Sequence, residues 1–203
     1  MQIPAGTEEQ KSMLRSLMNI RMFNNEEMCS MIRKSAFNDI EKIEDTYNEH
    51  FKHEMEHGAF TVFKKGIYPT RKDIENAVNS GTLYVYEKDN NIVGSIIVDK
   101  VQPPEYAEIV WEKNFKGNEV MVIHLLMVRP NMAGKGVATS LVQYAMELAK
   151  NNSCGVLRLD TGSQNIPALS LYKKLGFQIV ATASMKVGAT IEHSGHLFLE
   201  KLL

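Results

Sequence analysis

Two closely spaced glycines, Gly134 and Gly136, separate an apolar run from an amphipathic helix, and this arrangement predicts a binding site for an anion. The run over residues 120–128 predicts a buried strand, which Pro130 ends. At a helix N-terminus several backbone N–H groups lack partners within the helix, and the helix dipole adds partial positive charge. The loop is not a P-loop, because Gly136 stands where Ser or Thr must hold Mg²⁺, and Thr139 replaces the third glycine of a dinucleotide fingerprint.

Residues 53–57 read HEMEH and match the H-E-x-x-H pattern, in which two histidines on one helix face bind zinc beside a catalytic glutamate. Two residues argue against a zinc hydrolase. Glu56 puts a charge where zinc proteases with this motif keep an uncharged residue, and Phe60 stands where the metzincin pattern has a glycine. Because five-residue matches arise by chance in charged helices, we favour a solvated helix face and predict that the protein binds no metal.

These segments lie in a chain that mixes helical and strand patterns. We predict helices over residues 7–18, 24–36, 39–57, 71–80, 137–149 and 166–175. We predict strands over residues 20–23, 82–87, 91–98, 120–128, 156–160, 177–182 and 197–202. Residues 99–118 form a long loop that is either functional or a solvated excursion. Gly94, inside a predicted strand, indicates a bulge or a close backbone approach.

Composition restricts the class of protein. The chain has 203 residues, a length that favours a single domain over residues 20–203, preceded by an extension over residues 1–19. Its formal net charge of −1 argues against nucleic-acid binding. Cys29 and Cys154 form neither a metal-ligand spacing nor a disulfide framework. No segment resembles a signal peptide or a membrane span, so we expect a cytoplasmic protein that does not bind a membrane. The sequence leaves open whether it is a monomer or a homodimer.

A second motif follows about thirty residues after the glycine loop. Residues 165–168 read Asn-Ile-Pro-Ala, and residues 171–177 read Leu-Tyr-Lys-Lys-Leu-Gly-Phe. Asn165 and Tyr172 are two helical turns apart, which puts them on one face with a separation of roughly 10 Å. Together the two motifs resemble the signatures of the GNAT superfamily of N-acetyltransferases, whose coenzyme loop reads Gln/Arg-x-x-Gly-x-Gly/Ala; here Asn131 replaces the first residue.

The resemblance implies an α/β (α+β) fold with a mixed, mostly antiparallel central sheet of six to seven strands and helices on both faces. It also implies acetyl-CoA as cosubstrate, held by the end of the central strand, the glycine loop and the start of the later helix. The residues that would bind it are Leu126, Met127, Val128, Ala133, Gly134, Lys135, Gly136, Val137, Ala138, Thr139 and Asn165.

The implied reaction is attack of a primary amine on the acetyl thioester, through a tetrahedral intermediate whose oxyanion would be held by backbone N–H groups of Met127 and Val128. An alkylamine with a pKa near ~10.4 is neutral about once in 10³ molecules at pH 7, so a proton acceptor is needed. His124 stands where many family members have Glu and some arylalkylamine acetyltransferases have His, with Glu119 as the fallback base. Tyr172 would protonate the leaving thiolate. Each of these residues also has a purely structural interpretation. His124 and Tyr172 would then be core residues, and Asn165 would be a plain helix cap.

The acceptor is predicted from charge. Carboxylates are frequent in the helix over residues 39–57 and in the long loop, namely Glu41, Glu44, Asp45, Glu49, Glu105, Glu108 and Glu112. Tyr106 and Trp111 lie among the acids of the loop, and carboxylates beside aromatic faces attract cations. We therefore expect a cationic amine, small molecule or protein, with a merely solvated acidic surface as the competing interpretation. A catalytically silent module that senses acetyl-CoA is the alternative function.

Overall fold

The computed structural model describes residues 31–203. The predicted extension over residues 1–19, the helix over residues 7–18, the strand over residues 20–23 and most of the helix over residues 24–36 lie outside the described residues. The strands are β1 (Ile32–Lys34), β2 (Leu83–Lys88), β3 (Asn91–Asp99), β4 (Val120–Val128), β5 (Val156–Gly162), β6 (Gln178–Val187) and β7 (Ile191–Leu202). The α-helices are α1 (Ile40–His57), α2 (Arg71–Asn79), α3 (Val137–Asn151) and α4 (Ile166–Lys174).

The strands form one sheet in the order β1-β2-β3-β4-β5-β7-β6. Each neighbouring pair is antiparallel except β4 and β5, which are parallel and joined through α3. One face carries α3 and α4 over a core that includes Leu141 and Leu169, and the other carries α1 and α2 over a core that includes Ile43 and Ile74. The predicted mixed, mostly antiparallel sheet with helices on both faces is confirmed.

Local sequence accounts for several element ends. The Thr70 backbone N–H and hydroxyl both donate to Asp73, at 2.7 and 2.6 Å, in the predicted capping box at the start of α2. The Asn165 side chain accepts a bond of 3.3 Å from the Ala168 N–H and so caps α4. Gly176, in the left-handed region at φ 85°, follows the end of α4, as the sequence predicts.

One predicted element is wrong, and two predicted strands have different bounds. The helix predicted to run to Ala36 is replaced within the described residues by β1, in which Arg33 lies opposite Val85 at the sheet edge and its guanidinium bonds to Asp39 and Glu87. The last two strands are longer than predicted and form a hairpin through residues 188–190. Polar and apolar residues alternate over residues 182–187 of β6, which is the pattern of a half-buried strand, so the predicted bounds left out a signal that the sequence carries.

The parallel pair separates part of the way along its length. Partners run from Val120 opposite Val156 to Ile123 opposite Leu159 and then stop, although both strands continue. At the same level the register of β4 on β3 shifts between Ile96 and Val98, which places a bulge in β4. The result is an opening between β4 and β5 that starts immediately after Ile123.

Candidate active site

The glycine loop has the backbone that its sequence predicts. Gly134 and Gly136 have φ angles of 73° and 84°, a region that residues with a Cβ rarely adopt. Gly136 is the N-cap of α3 and supplies no side-chain cap, so the first N–H groups of this helix have no partner within it. A Cβ built on either glycine meets no atom within 4 Å. The loop therefore presents backbone donors to open space, which fits a phosphate group.

Gly94 on β3 brings α3 close to the sheet beside this loop. A Cβ at Gly94 would lie 2.9 Å from Val137 Cγ1 and 3.1 Å from the carbonyl oxygen of Met127. The predicted close approach at Gly94 is thus confirmed. It allows the first residue of α3 to pack on β3 and β4 and so fixes where the helix N-terminus lies.

His124 is the first residue of β4 beyond the last pair with β5. Its Nε2 lies 2.8 Å from Oδ1 of Asp99, the last residue of β3, and each side chain is 21% exposed. An ionised carboxylate only accepts hydrogen bonds, so this contact puts the proton on Nε2 and leaves Nδ1 as the basic nitrogen of a neutral ring. The bulge in β4 lies at this residue, and bulges near active sites re-aim side chains.

Asp160 is the corresponding residue of β5 and is held through both carboxylate oxygens. The Tyr106 hydroxyl donates to Oδ1 at 2.9 Å, and His196 Nε2 lies 3.0 Å from Oδ2. His196 is 2% exposed, and its Nδ1 lies 3.0 Å from Nδ1 of His193. Tyr106 is also buried, because its ring packs against Trp111 and Phe198.

Tyr172 lies on the buried face of α4 and packs edge-on against Phe177. Burial and, second, the negative charge of Asp160 raise the pKa of the Tyr172 hydroxyl above its ordinary value. The hydroxyl is protonated at neutral pH, as an ordinary tyrosine is, and the raised pKa makes it a weaker proton donor; Tyr172 does not line the cavity.

A cavity of about 510 Å³ joins several of these groups. His124, Asp160, Asn165 and His196 line it. Its remaining walls come from the loop between α1 and α2, the loop after β3, and the hairpin end of β6: Thr61, Val62, Phe63, Tyr68, Pro103, Pro104, Glu105, Thr161, Gly162, Met185, Lys186, Val187, Gly188 and Ala189. The volume is in the range that holds a small-molecule ligand.

The other residues predicted from sequence lie elsewhere. Glu119 is at the opposite end of β4 from the glycine loop, where its carboxylate accepts a bond from the Lys116 N–H, and it does not line the cavity. Of the acidic residues proposed to attract the acceptor, Glu105 alone lines the cavity. Glu44 pairs with Arg71, and Glu49 pairs with Arg129. Asp99, Asp160 and His196 were missed, because they are isolated polar residues on separate strands.

The prediction of a solvated helix face is wrong for Glu54, which is buried, and the H-E-x-x-H segment has a structural role in the described chain. The buried Glu54 carboxylate accepts bonds from the N–H groups of Phe60 and Thr61 and from the Thr61 hydroxyl, and so holds the chain that leaves α1. His53 and His57 stack on one another, and His57 is exposed. Within residues 31–203, no three His, Cys, Asp or Glu side chains are grouped so that they could hold a metal ion. That the protein binds no metal stays a prediction.

The long loop after β3 is fastened to the sheet by a buried ion pair. Arg158 Nε lies 3.3 Å from Glu200 Oε2, and the two side chains are 3% and 1% exposed. The Arg158 guanidinium also bonds to Gln102 and the Lys113 carbonyl and lies 4.0 Å above the Trp111 ring. Glu200 accepts a bond of 2.6 Å from the Glu112 N–H. This network holds the segment that brings Glu105 to the cavity and the Tyr106 hydroxyl to Asp160.

Comparison with known proteins identifies the class of protein. Residues 38–177 match the model of the acetyltransferase (GNAT) family, and the chain belongs to that family. It is 28% identical to a streptothricin acetyltransferase of Escherichia coli over 124 residues, which are 60% of this chain and 63% of that protein. It is 37% identical to an N-acetyltransferase of Methanocaldococcus jannaschii over 68 residues, or 34% and 30% of the two chains. The matches thus span less than two thirds of these relatives.

Solved structures agree on the fold. A GNAT-family acetyltransferase from Streptococcus agalactiae superposes with a TM-score of 0.70 at 20% identity, over 85% of this chain and 94% of the other. A second, from Listeria monocytogenes, gives a TM-score of 0.65 at 19% identity over the same two shares. Across residues 31–203, none of the helices has the length and apolar character needed to cross a membrane.

Proposed function

We propose that this protein is an N-acetyltransferase that moves an acetyl group from acetyl-CoA to a primary amine. The observation that carries the proposal is the opening between β4 and β5 after Ile123 and Leu159, with His124 and Asp160 at its start. The same strand, β4, continues into the glycine loop at the N-terminus of α3. One strand therefore carries a base candidate and leads to a phosphate cradle.

The residues present fit acetyl-CoA, which supplies an activated acetyl thioester when bound. The N–H groups of residues 133–139 would hold its pyrophosphate, because Gly134 and Gly136 leave the space in front of them open. Beyond Ile123, the side of β4 that faces β5 has no ladder partner. The backbone of Leu126, Met127 and Val128 can therefore bind the coenzyme arm and polarise the thioester carbonyl.

His124 acts as the proton acceptor for the amine. Asp99 holds the ring with the proton on Nε2, so Nδ1 is free to take a proton from the ammonium group of the substrate, which leaves a neutral amine whose lone pair attacks the thioester. Asp99 also stabilises the imidazolium that forms. The His124 side chain lines the cavity and is 21% exposed, whereas His196 is 2% exposed, so a bound amine can reach His124, and this supports the catalytic interpretation.

Tyr172 acts as the acid. Its hydroxyl is protonated at neutral pH and donates that proton to the departing thiolate; because burial raises its pKa, we expect this contribution to be modest. Asn165 is both the cap of α4 and a cavity residue, so it fixes the helix that carries Tyr172 and contributes an amide to the wall.

Thiol release from acetyl-CoA tests the proposal. The purified chain is mixed with acetyl-CoA and a panel of amines that includes alkylamines, aralkylamines, polyamines, a lysine peptide and streptothricin, and free thiol is measured with and without each acceptor. We expect acceptor-dependent release with at least one class and an acetylated product by mass spectrometry. Tight binding of acetyl-CoA with no release across the panel would instead support a sensor module.

A further inference from the structure

Asp160 is a carboxylate at the cavity wall whose partners are neutral or titratable groups. Within residues 31–203 no Lys or Arg pairs with it; its ion-pair contact is His196. Each carboxylate oxygen has two lone pairs, and the Tyr106 hydroxyl and His196 Nε2 use one on each. The side chain is 13% exposed, so it is largely removed from bulk water. A partly buried carboxylate with spare acceptor capacity attracts a cation.

The other charged residues of the cavity also favour a cationic ligand. Glu105 lines it and accepts a bond of 3.2 Å from the Lys186 N–H. Lys186 also lines the cavity, but its ammonium lies 3.7 Å from Glu192 and its side chain is 59% exposed. The apolar wall includes Phe63 and Tyr68, whose rings stack edge-on at 5.7 Å between centroids. The cavity thus combines two carboxylates with aromatic and aliphatic walls.

The position of Asp160 relates this charge to the reaction. Ile123 and Leu159 are the last partners of the parallel pair, and His124 and Asp160 follow them on adjacent strands. Both residues line the cavity. A cation held at Asp160 therefore lies in the same cavity as the ring that takes a proton in the proposed function.

We propose that Asp160 binds the acceptor as an ammonium ion, and that the acceptor class is an alkyl- or aralkylamine that enters the cavity in its cationic form. The inference rests on the proposed function for the identity of the reaction, but the cation site itself is a property of Asp160. His196 and Tyr106 are positioning residues, because they hold the two oxygens of Asp160 from buried sites and through it orient the amine toward His124.

This assignment places the cation site away from the acidic helix face selected from sequence. The carboxylates of α1 either pair with arginines, as Glu44 and Glu49 do, or do not line the cavity. The charge that sets the acceptor class is instead a single aspartate fixed by strand pairing. We therefore expect specificity to depend on Asp160 far more than on the surface acids.

A pair of nonreactive ligands separates binding of a cation from acetyl transfer. Phenethyltrimethylammonium carries a fixed charge and cannot be acetylated, and its neutral tert-butyl isostere has the same shape. Calorimetric titration of the full chain saturated with coenzyme A should show that the cation binds about tenfold or more tightly than the isostere. In Asp160→Asn that preference should disappear, while Glu105→Gln, on the same cavity, should retain most of it.

Turnover adds a second measurement. With the best amine of the panel, Asp160→Asn should raise KM about 10- to 100-fold and leave the Kd of acetyl-CoA unchanged. His196→Gln, whose amide can replace the Nε2 donor, should keep KM near the wild-type value, whereas His196→Leu should raise it. A merely structural role of His196 would make both variants equally poor.

The outcomes distinguish the two proposals. Equal affinity of the wild-type protein for the cation and its neutral isostere would overturn the cation site without use of any variant. An unchanged cation preference in Asp160→Asn would do the same. If the wild-type protein binds the cation through Asp160 but releases no thiol with any amine, the acetyltransferase proposal fails and the cation site stands.

Discussion

His124 and Asp160 are neighbours across the parallel strands β4 and β5, each the first residue beyond the last partnered pair. The imidazole and the carboxylate therefore come to one cavity from two strands that have just parted. The carboxylate of Asp99 lies behind the imidazole, and the Tyr106 hydroxyl and His196 lie against Asp160.

If His124 is the proton acceptor, its replacement should lower kcat strongly. His124→Gln removes the base and should lower kcat by about 10²- to 10⁴-fold with a small change in the Kd of acetyl-CoA. Asp99→Asn should lower kcat less, because the ring remains but loses the carboxylate that fixes its tautomer and stabilises its charged form. Both are measured by steady-state thiol release.

Glu119→Gln is the matched control for the base, because Glu119 lies on the same strand but outside the cavity. Its kcat should equal that of the wild type. A loss in Glu119→Gln as large as the loss in His124→Gln would transfer the role of base to Glu119.

Tyr172→Phe tests the acid. Removal of the hydroxyl takes away one acid contribution and little binding, so it should lower kcat by roughly 10- to 10³-fold with little change in KM. Tyr84→Phe serves as the control, since Tyr84 is a core residue on β2 that packs against Tyr144. A Tyr172→Phe enzyme as fast as wild type would make Tyr172 a core residue only.

The glycine loop predicts a selective loss of coenzyme affinity. Gly136→Asp adds bulk and negative charge where backbone N–H groups face open space, so the Kd of acetyl-CoA should rise about tenfold or more. Gly117→Asp is the control for backbone strain, because Gly117 also has a positive φ, 51°, and open space around its Cβ position. Unchanged affinity in a folded Gly136→Asp protein would refute the location of the pyrophosphate.

Because Arg158 and Glu200 form a buried ion pair, we expect the effects of replacing them on the free energy of unfolding to be strongly non-additive. Arg158→Met leaves a buried carboxylate without its partner and should lower the free energy of unfolding by about 3–5 kcal/mol. The double variant with Glu200→Met should recover part of that loss. Lys150→Met, which breaks the exposed pair with Glu147, should leave the denaturation midpoint unchanged. Additive losses in the double variant would contradict the coupling.

His50 predicts a loss of stability in acid. Burial lowers the pKa of this imidazole, and the nearby Glu54 only partly offsets that effect. Below about pH 6.5 the unfolded chain takes up a proton that the folded chain resists, so the free energy of unfolding falls as the pH falls. Denaturant titrations at pH 7 and pH 5 should show a smaller difference in His50→Met than in wild type. His57→Gln, at an exposed position, should keep the wild-type difference.

Much of the fold follows from local sequence. The apolar run over residues 120–128, the capping box of Thr70 and Asp73, and the cap at Asn165 each specify an element through interactions a few residues apart. β1 could not be predicted in this way, because three residues at a sheet edge carry no periodicity and Ile32 continues a helical spacing. The hairpin of β6 and β7 is stabilised by pairing between strands, which local patterns do not report.

The candidate site was predicted only where a motif carries it. His124, Tyr172 and the glycine loop belong to segments with recognisable order in the chain. Asp99, Asp160 and His196 are single polar residues at strand positions far apart in sequence, and their contacts arise from the sheet. The sequence carries a weak signal for two of them. Asp99 and Asp160 each end an apolar strand run, and a charged residue at the end of a buried strand is a candidate site residue.

The register of β7 on β5 determines which side chain supports Asp160. His196 lies opposite Gly162, and Phe198 lies opposite Asp160 itself. Because side chains alternate between the two faces of a strand, a shift of one residue would exchange His196 for Leu197 and remove a hydrogen-bond donor from the carboxylate. Insertions or deletions of one residue within β7 would therefore change acceptor recognition even where the sheet re-forms, and relatives that differ by such a shift should prefer different acceptors.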